Sequence, residues 1–165
     1  MNIFFLFIAF VLLSSCFLSS QEGYAMDKEF LQKNECVFRP IGLVRSPIKS
    51  LHDAPKQGDE GGPEAWLEIA PEYLEALEGL KVGKEIIVLT WLHLGRRDRL
   101  KVHPRGNPAN PLQGVFATRT PHRPNPIGLH QVKILEMDRQ RGLRVNNLEC
   151  LDQTPILDIK PVLEK

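Results

Sequence analysis

Cysteine and aromatic residues are scarce: the 165 residues hold 3 Cys, 2 Trp and 2 Tyr, and Phe4, Phe5, Phe7, Phe10 and Phe17 take most of the 8 Phe into the N-terminal stretch. Beyond that stretch only Cys36 and Cys150 remain, with no C-x-x-C and no histidine at ligand spacing, which argues against a metal site. Two distant cysteines are compatible with a disulfide in an oxidising compartment, but the simpler reading is two thiols in a reducing one. No G-x-G-x-x-G follows a strand-like run and no P-loop is present, so a dinucleotide-type turn is excluded. Repeats and low-complexity tracts are missing as well. The composition that remains is an ordinary globular one, 42% hydrophobic and 25% charged with net charge +1, which excludes collagen-like, coiled-coil and wholly disordered chains.

Residues 1–25 read differently from the rest. Ile3 to Leu13 is uniformly apolar, and Leu13-Ser14-Ser15-Cys16 matches the pattern at which bacterial lipoproteins are cleaved and acylated. No Lys or Arg precedes the run, whereas secretory signals start with positive charge. Met26 follows Gln21-Glu22-Gly23, whose codons can spell a ribosome-binding sequence. The expected organisation is an apolar leader over 1–25, from a mis-assigned start or else a lipoprotein signal anchored at Cys16, followed by one domain over 26–165.

In the body, Val37 to Arg45 alternates as an edge strand closed by Ser46-Pro47. Ile48 to Gly62 has no periodicity and is a long loop of the kind that carries binding residues. Trp66 to Ile69 is a short strand. Pro71 then opens a short helix with Tyr73, Leu74, Leu77 and Leu80 on its apolar face and Gly79 near its stop. Glu85 to His93 is apolar on both faces and reads as a buried strand. Shorter strand-like runs follow at Leu100 to His103, Val115 to Thr118, Gly128 to Met137 and Gly142 to Leu148. No strand alternates with a long helix, so the predicted class is mainly β: a closed or partly open antiparallel β-barrel with one or two short helices.

Charge and proline are unevenly placed. Asp59, Glu60, Glu64, Glu68, Glu72, Glu75 and Glu78 lie in a stretch without a base, whereas Arg96, Arg97, Arg99, Lys101 and Arg105 face only Asp98 between His93 and Arg105. The basic cluster suits nucleic-acid phosphates, or else keeps a strand edge soluble. Six of the 13 prolines fall between Pro104 and Pro126, where GVFATRTPHRPNPIGL (Gly114 to Leu129) also carries Arg119, His122, Arg123 and Asn125. Proline fixes its own φ and restricts its predecessor, so this segment holds basic groups in a stiff frame.

Val102-His103-Pro104-Arg105-Gly106, the GVFATRTPHRPNPIGL segment and LDQTPILDIKP (Leu151 to Pro161) together resemble the TsaA/TrmO family of S-adenosylmethionine-dependent tRNA N6-threonylcarbamoyladenosine methyltransferases. The resemblance runs from Phe38 to Pro161. It implies a β-barrel that dimerises and binds S-adenosyl-L-methionine. Matched by motif position, it implies donor contacts from Pro55, Lys56 and Gln57, from Leu92 and His93, from Arg119 and Leu129, and from Asp152, Gln153, Thr154 and Pro155. Arg119 suits the donor carboxylate through its planar fork, and Asp152 its ammonium. Arg96, Arg97, Arg99, Lys101, Arg105 and Arg123 are the expected contacts to the modification's carboxylate and the anticodon-loop phosphates.

The resemblance further implies methylation at N6 of threonylcarbamoyladenosine beside the tRNA anticodon, as a cytoplasmic homodimer. The alternative is a non-catalytic S-adenosylmethionine- or RNA-binding protein of the same fold. His93 and His122 are both candidates to assist the proton transfer, and the catalytic base stays unassigned. Gln153 stands where the family usually has Gly, the residue suited to positive φ or to close approach of a ligand.

Overall fold

A computed structural model describes residues 37–163, so the apolar leader, Cys16, Met26 and Cys36 lie outside the described residues. Within the unit Arg39–Lys165, eight strands succeed one another in chain order: β1 (Gly42–Arg45), β2 (Ala65–Ile69), β3 (Glu85–Trp91), β4 (Lys101–Val102), β5 (Gln113–Gly114), β6 (Ile127–Asp138), β7 (Gly142–Val145) and β8 (Pro155–Pro161). Six of them form a closed antiparallel barrel in the order β1-β2-β7-β6-β3-β8, with Gly42 of β1 opposite Ile156 of β8 at the closure. The strand expected at a sheet edge therefore has partners on both sides, because closure leaves no edge. β4 and β5 pair only with each other and form a short arm.

Alternation fills the barrel. Val44, Leu67, Ile86, Val88, Ile134, Leu143, Val145 and Ile156 are fully buried and point inward from all six strands. Burial of each such side chain contributes about 1.5–3 kcal/mol. On β3 the outward residues Ile87, Leu89 and Trp91 stay half-buried, so the strand is fully covered on one face and not on both. A single-walled barrel has no second layer to cover that outer face.

Pro71 does open a helix, but Pro71–Leu77 is a 3₁₀ helix, which ends with Glu78 donating to the Glu75 carbonyl at 3.1 Å. Tyr73, Leu74, Leu77 and Leu80 lie half-buried against the core. The strand expected over Val115 to Thr118 is instead a 3₁₀ turn, Val115–Ala117, with the amide and hydroxyl of Thr118 both donating to the Val115 carbonyl. Local hydrogen bonding overrides β propensity there. β8 is a strand that the sequence reading assigned only to a motif; its two prolines mask an inward Ile156 flanked by residues that are less buried.

Candidate functional site

Antiparallel closure decides where loops meet. The C-terminal ends of β1, β3 and β7 and the N-terminal ends of β2, β6 and β8 share one rim, as the pairs Arg45↔Trp66, Ala65↔Val145, Trp91↔Ile127 and Leu43↔Pro155 require. Three long segments leave this rim, over residues 46–64, 92–126 and 146–154. They carry Pro55 to Gln57, then Leu92, His93, Arg119 and the whole basic cluster, then Asp152 to Thr154. Leu129 and Pro155 sit just inside the strands that start there. Every sequence-predicted contact thus lies on a segment or strand end that starts from one end of the barrel, although the residues span much of the chain. A shallow depression lined by Val82, Gly83, Lys84, Glu85 and Val162 lies toward the opposite rim and includes none of them.

Specific contacts tie the three segments together. Lys56 Nζ donates to the carbonyl of Arg105 at 2.6 Å, and Arg105 pairs with Glu60 at 2.6 Å. Asp152 accepts from the Ser46 amide at 3.0 Å and pairs with Lys49 Nζ at 2.8 Å, which holds its carboxyl below the usual range. A donor ammonium at Asp152 would share that carboxylate with Lys49. The stretch after β3 is tied to the proline-rich segment: the Leu92 amide donates to the Pro126 carbonyl at 2.8 Å and the Arg96 amide to His122 Nδ1 at 3.1 Å. His122 Nδ1 is thereby occupied, while His93 is exposed.

The expected RNA contacts divide. Arg96 forms a fork with Asp98, at 3.1 and 2.7 Å. Arg105 is held by Glu60, and Arg123 donates to the Val115 carbonyl at 3.2 Å with its guanidinium 5.9 Å from the Phe116 ring centre. Arg97 lies 4.9 Å over Trp91, whereas Arg99 and Lys101 are exposed on the arm. Gln153 adopts φ 65°, the left-handed conformation that its glycine-like position demands.

One cluster was missed by sequence reading. His130 points inward from β6, 7% exposed, with Nε2 2.9 Å from Thr90 Oγ1 and 3.3 Å from Cys150 Sγ, and Nδ1 2.8 Å from Glu149 Oε1. Burial pulls the imidazole toward neutrality, but the Cys150 sulfur and the Glu149 carboxylate outweigh it and push its pKa up to about 10. Burial likewise pushes Glu149 up, yet the His130 hydrogen bond and charge, with Arg119 adding a smaller pull, leave it below the usual range. Parity was the available signal: Gly128, His130, Val132 and Ile134 are the inward series of one alternating strand.

The rim residues fit a zwitterionic sulfonium nucleoside: an exposed arginine, two ionised carboxylates and the apolar side chains of Pro55, Leu92 and Leu129 occupy one end of the barrel.

Comparison with known proteins gives the same assignment. A "probable S-adenosyl-L-methionine-binding protein" of Methanothermobacter thermautotrophicus is 48% identical over 130 residues, covering 79% of this chain and 92% of that protein. An S-adenosyl-L-methionine-binding protein of Archaeoglobus fulgidus is 44% identical over 124 residues, covering 75% of this chain and 87% of that protein. The crystal structure of TrmO from Pseudomonas aeruginosa superposes with TM-score 0.64 at 32% identity, over 79% of this chain and 57% of that one. The chain thus spans a little more than half the length of that solved protein. Residues 43–165 match the model of the tRNA-methyltransferase O N-terminal domain, and the chain belongs to that family.

Proposed function

We propose that the protein transfers a methyl group from S-adenosyl-L-methionine to N6 of threonylcarbamoyladenosine in tRNA. The observation that carries this reading is the convergence of Pro55 to Gln57, Leu92, Arg119 and Asp152 to Pro155 on segments and strand ends at one barrel rim, from which the arm with exposed Arg99 and Lys101 also departs. The bound donor supplies a methyl already activated on sulfur. The chain's task is then alignment, which can be worth about 7–11 kcal/mol of barrier. Arg119 holds a carboxylate by a charge-assisted fork, and Asp152 with Glu149 balances positive charge beside it. Pro55, Leu92 and Leu129 exclude water from the apolar parts. The substituted N6–H belongs to a urea and is more acidic than in adenosine, so a strong base is not required of His93 or His122.

The partner is a tRNA, met through phosphate contacts from the arm and sorted by recognition of the modification's carboxylate. We further propose a homodimer, supported by Leu100, Leu112 and Phe116, which are 68, 58 and 79% exposed on or beside the β4–β5 arm. A cytoplasmic location follows from where the methyl donor and tRNA occur. A second reading, donor binding without catalysis, is favoured by the relatives named only for binding. Incubation of the full chain with donor and tRNA lacking the final methyl, followed by mass spectrometry of released nucleosides, separates the two. Methylated threonylcarbamoyladenosine supports the first, and donor binding without methyl gain supports the second.

A further inference from the structure

We infer that Glu149, locked in place by His130, is a positioning residue of the donor site that backs the end of the Pro55–Gln57 loop at Gly58 and biases Arg119 through its charge. His130 is held at both ring nitrogens, by Thr90 Oγ1 at 2.9 Å and by Glu149 Oε1 at 2.8 Å, so its ring has no freedom to turn. Gly128 makes this possible: a Cβ there would sit 2.4 Å from Thr90 Oγ1 and 2.5 Å from His130 Nε2. With Oε1 fixed, the other carboxylate oxygen is fixed too. Glu149 Oε2 lies 3.0 Å from where a Cβ on Gly58 would be, and Gly58 directly follows Gln57. Arg119 stands within electrostatic range of the same carboxylate.

Glu149 therefore lies close behind one donor segment at Gly58, within electrostatic range of Arg119 in a second, and three residues before Asp152 in the third. As a stabilising device such a pair is poor, since well-packed apolar residues replace buried ion pairs at no loss. As an orienting device it is well suited. The carboxylate attracts Arg119 through charge at a distance, leaving the guanidinium donors for a ligand carboxylate.

This inference rests on the donor site proposed above, and a double-mutant cycle read by calorimetry with S-adenosyl-L-methionine tests the two separately. In the full chain, Glu149→Gln weakens binding about 10-fold, a 1.4 kcal/mol effect, and in the Arg119→Ala background it weakens binding less than about 2-fold. A residue that only stabilised the fold would give the same loss in both backgrounds. Should Glu149→Gln fail to fold, Thr90→Val removes the shorter of the two contacts to His130 Nε2, leaving Cys150 Sγ at 3.3 Å, and enters the same cycle with the same non-additivity expected. Binding by the wild type with additive losses overturns the positioning role and leaves the donor site standing. No binding by the wild type overturns the donor site itself.

Discussion

His130 Nδ1 and Glu149 Oε1, 2.8 Å apart, join the barrel interior to the rim on which the three long segments converge. The pair has a pH signature. The pKa of His130 is raised above its ordinary 6.5 to about 10, so its stabilising contribution is whole below about pH 6.5 and is lost as pH rises through 10. The pKa of Glu149 is lowered below its ordinary 4.5, so its contribution is whole above that pH and is lost as pH falls through the lowered value. Urea unfolding of the wild type should lose more stability between about pH 6.5 and 10 than Glu149→Gln does. Parallel curves for the two proteins would contradict the ion pair.

Arg119→Ala should weaken S-adenosyl-L-methionine binding about 10- to 100-fold, the value of a hydrogen-bonded contact to a charged group. Arg139→Ala, on the exposed turn between β6 and β7, should leave it unchanged, because that turn is on the opposite rim. Equal effects in calorimetry would remove Arg119 from the donor site.

Arg99→Ala and Lys101→Ala should weaken tRNA binding and reduce its salt dependence by roughly 0.7 in log–log slope for each lost phosphate contact. Donor affinity should stay constant in both. Filter binding from low to high salt measures this, and an unchanged slope would assign these two exposed side chains to solubility.

Gln153→Gly should raise stability by about 0.5–1 kcal/mol, since a left-handed L-residue costs roughly 1–2 kcal/mol and glycine returns part of that in backbone entropy. The φ of 65° at Gln153 is the basis. A destabilised variant in urea unfolding would mean that Gln153 makes contacts worth more than its strain.

Much of the fold was legible because alternation and punctuation are local. The strands at Trp66 to Ile69 and Glu85 to His93 and the loop over Ile48 to Gly62 stand out in the sequence. β8 did not, because its bounding prolines resemble linker punctuation, and Val115–Ala117 misled because one threonine closes a turn that residue propensity does not foresee. Most of the site came through motif resemblance, and closure of the ring explains why those distant motifs share a rim. His130 and Glu149 were not legible, since their pairing depends on residues 146–150 running back beside β6, a long-range register that no local pattern encodes.

The most direct measurement is the nucleoside mass spectrum of tRNA carrying threonylcarbamoyladenosine, after incubation of the full chain with S-adenosyl-L-methionine labelled with deuterium in its methyl group. The predicted result is threonylcarbamoyladenosine bearing the labelled methyl on N6, with the label reduced at least about 10-fold in Arg119→Ala at subsaturating donor. Unlabelled threonylcarbamoyladenosine alone, from a wild-type protein that binds the donor, would contradict it.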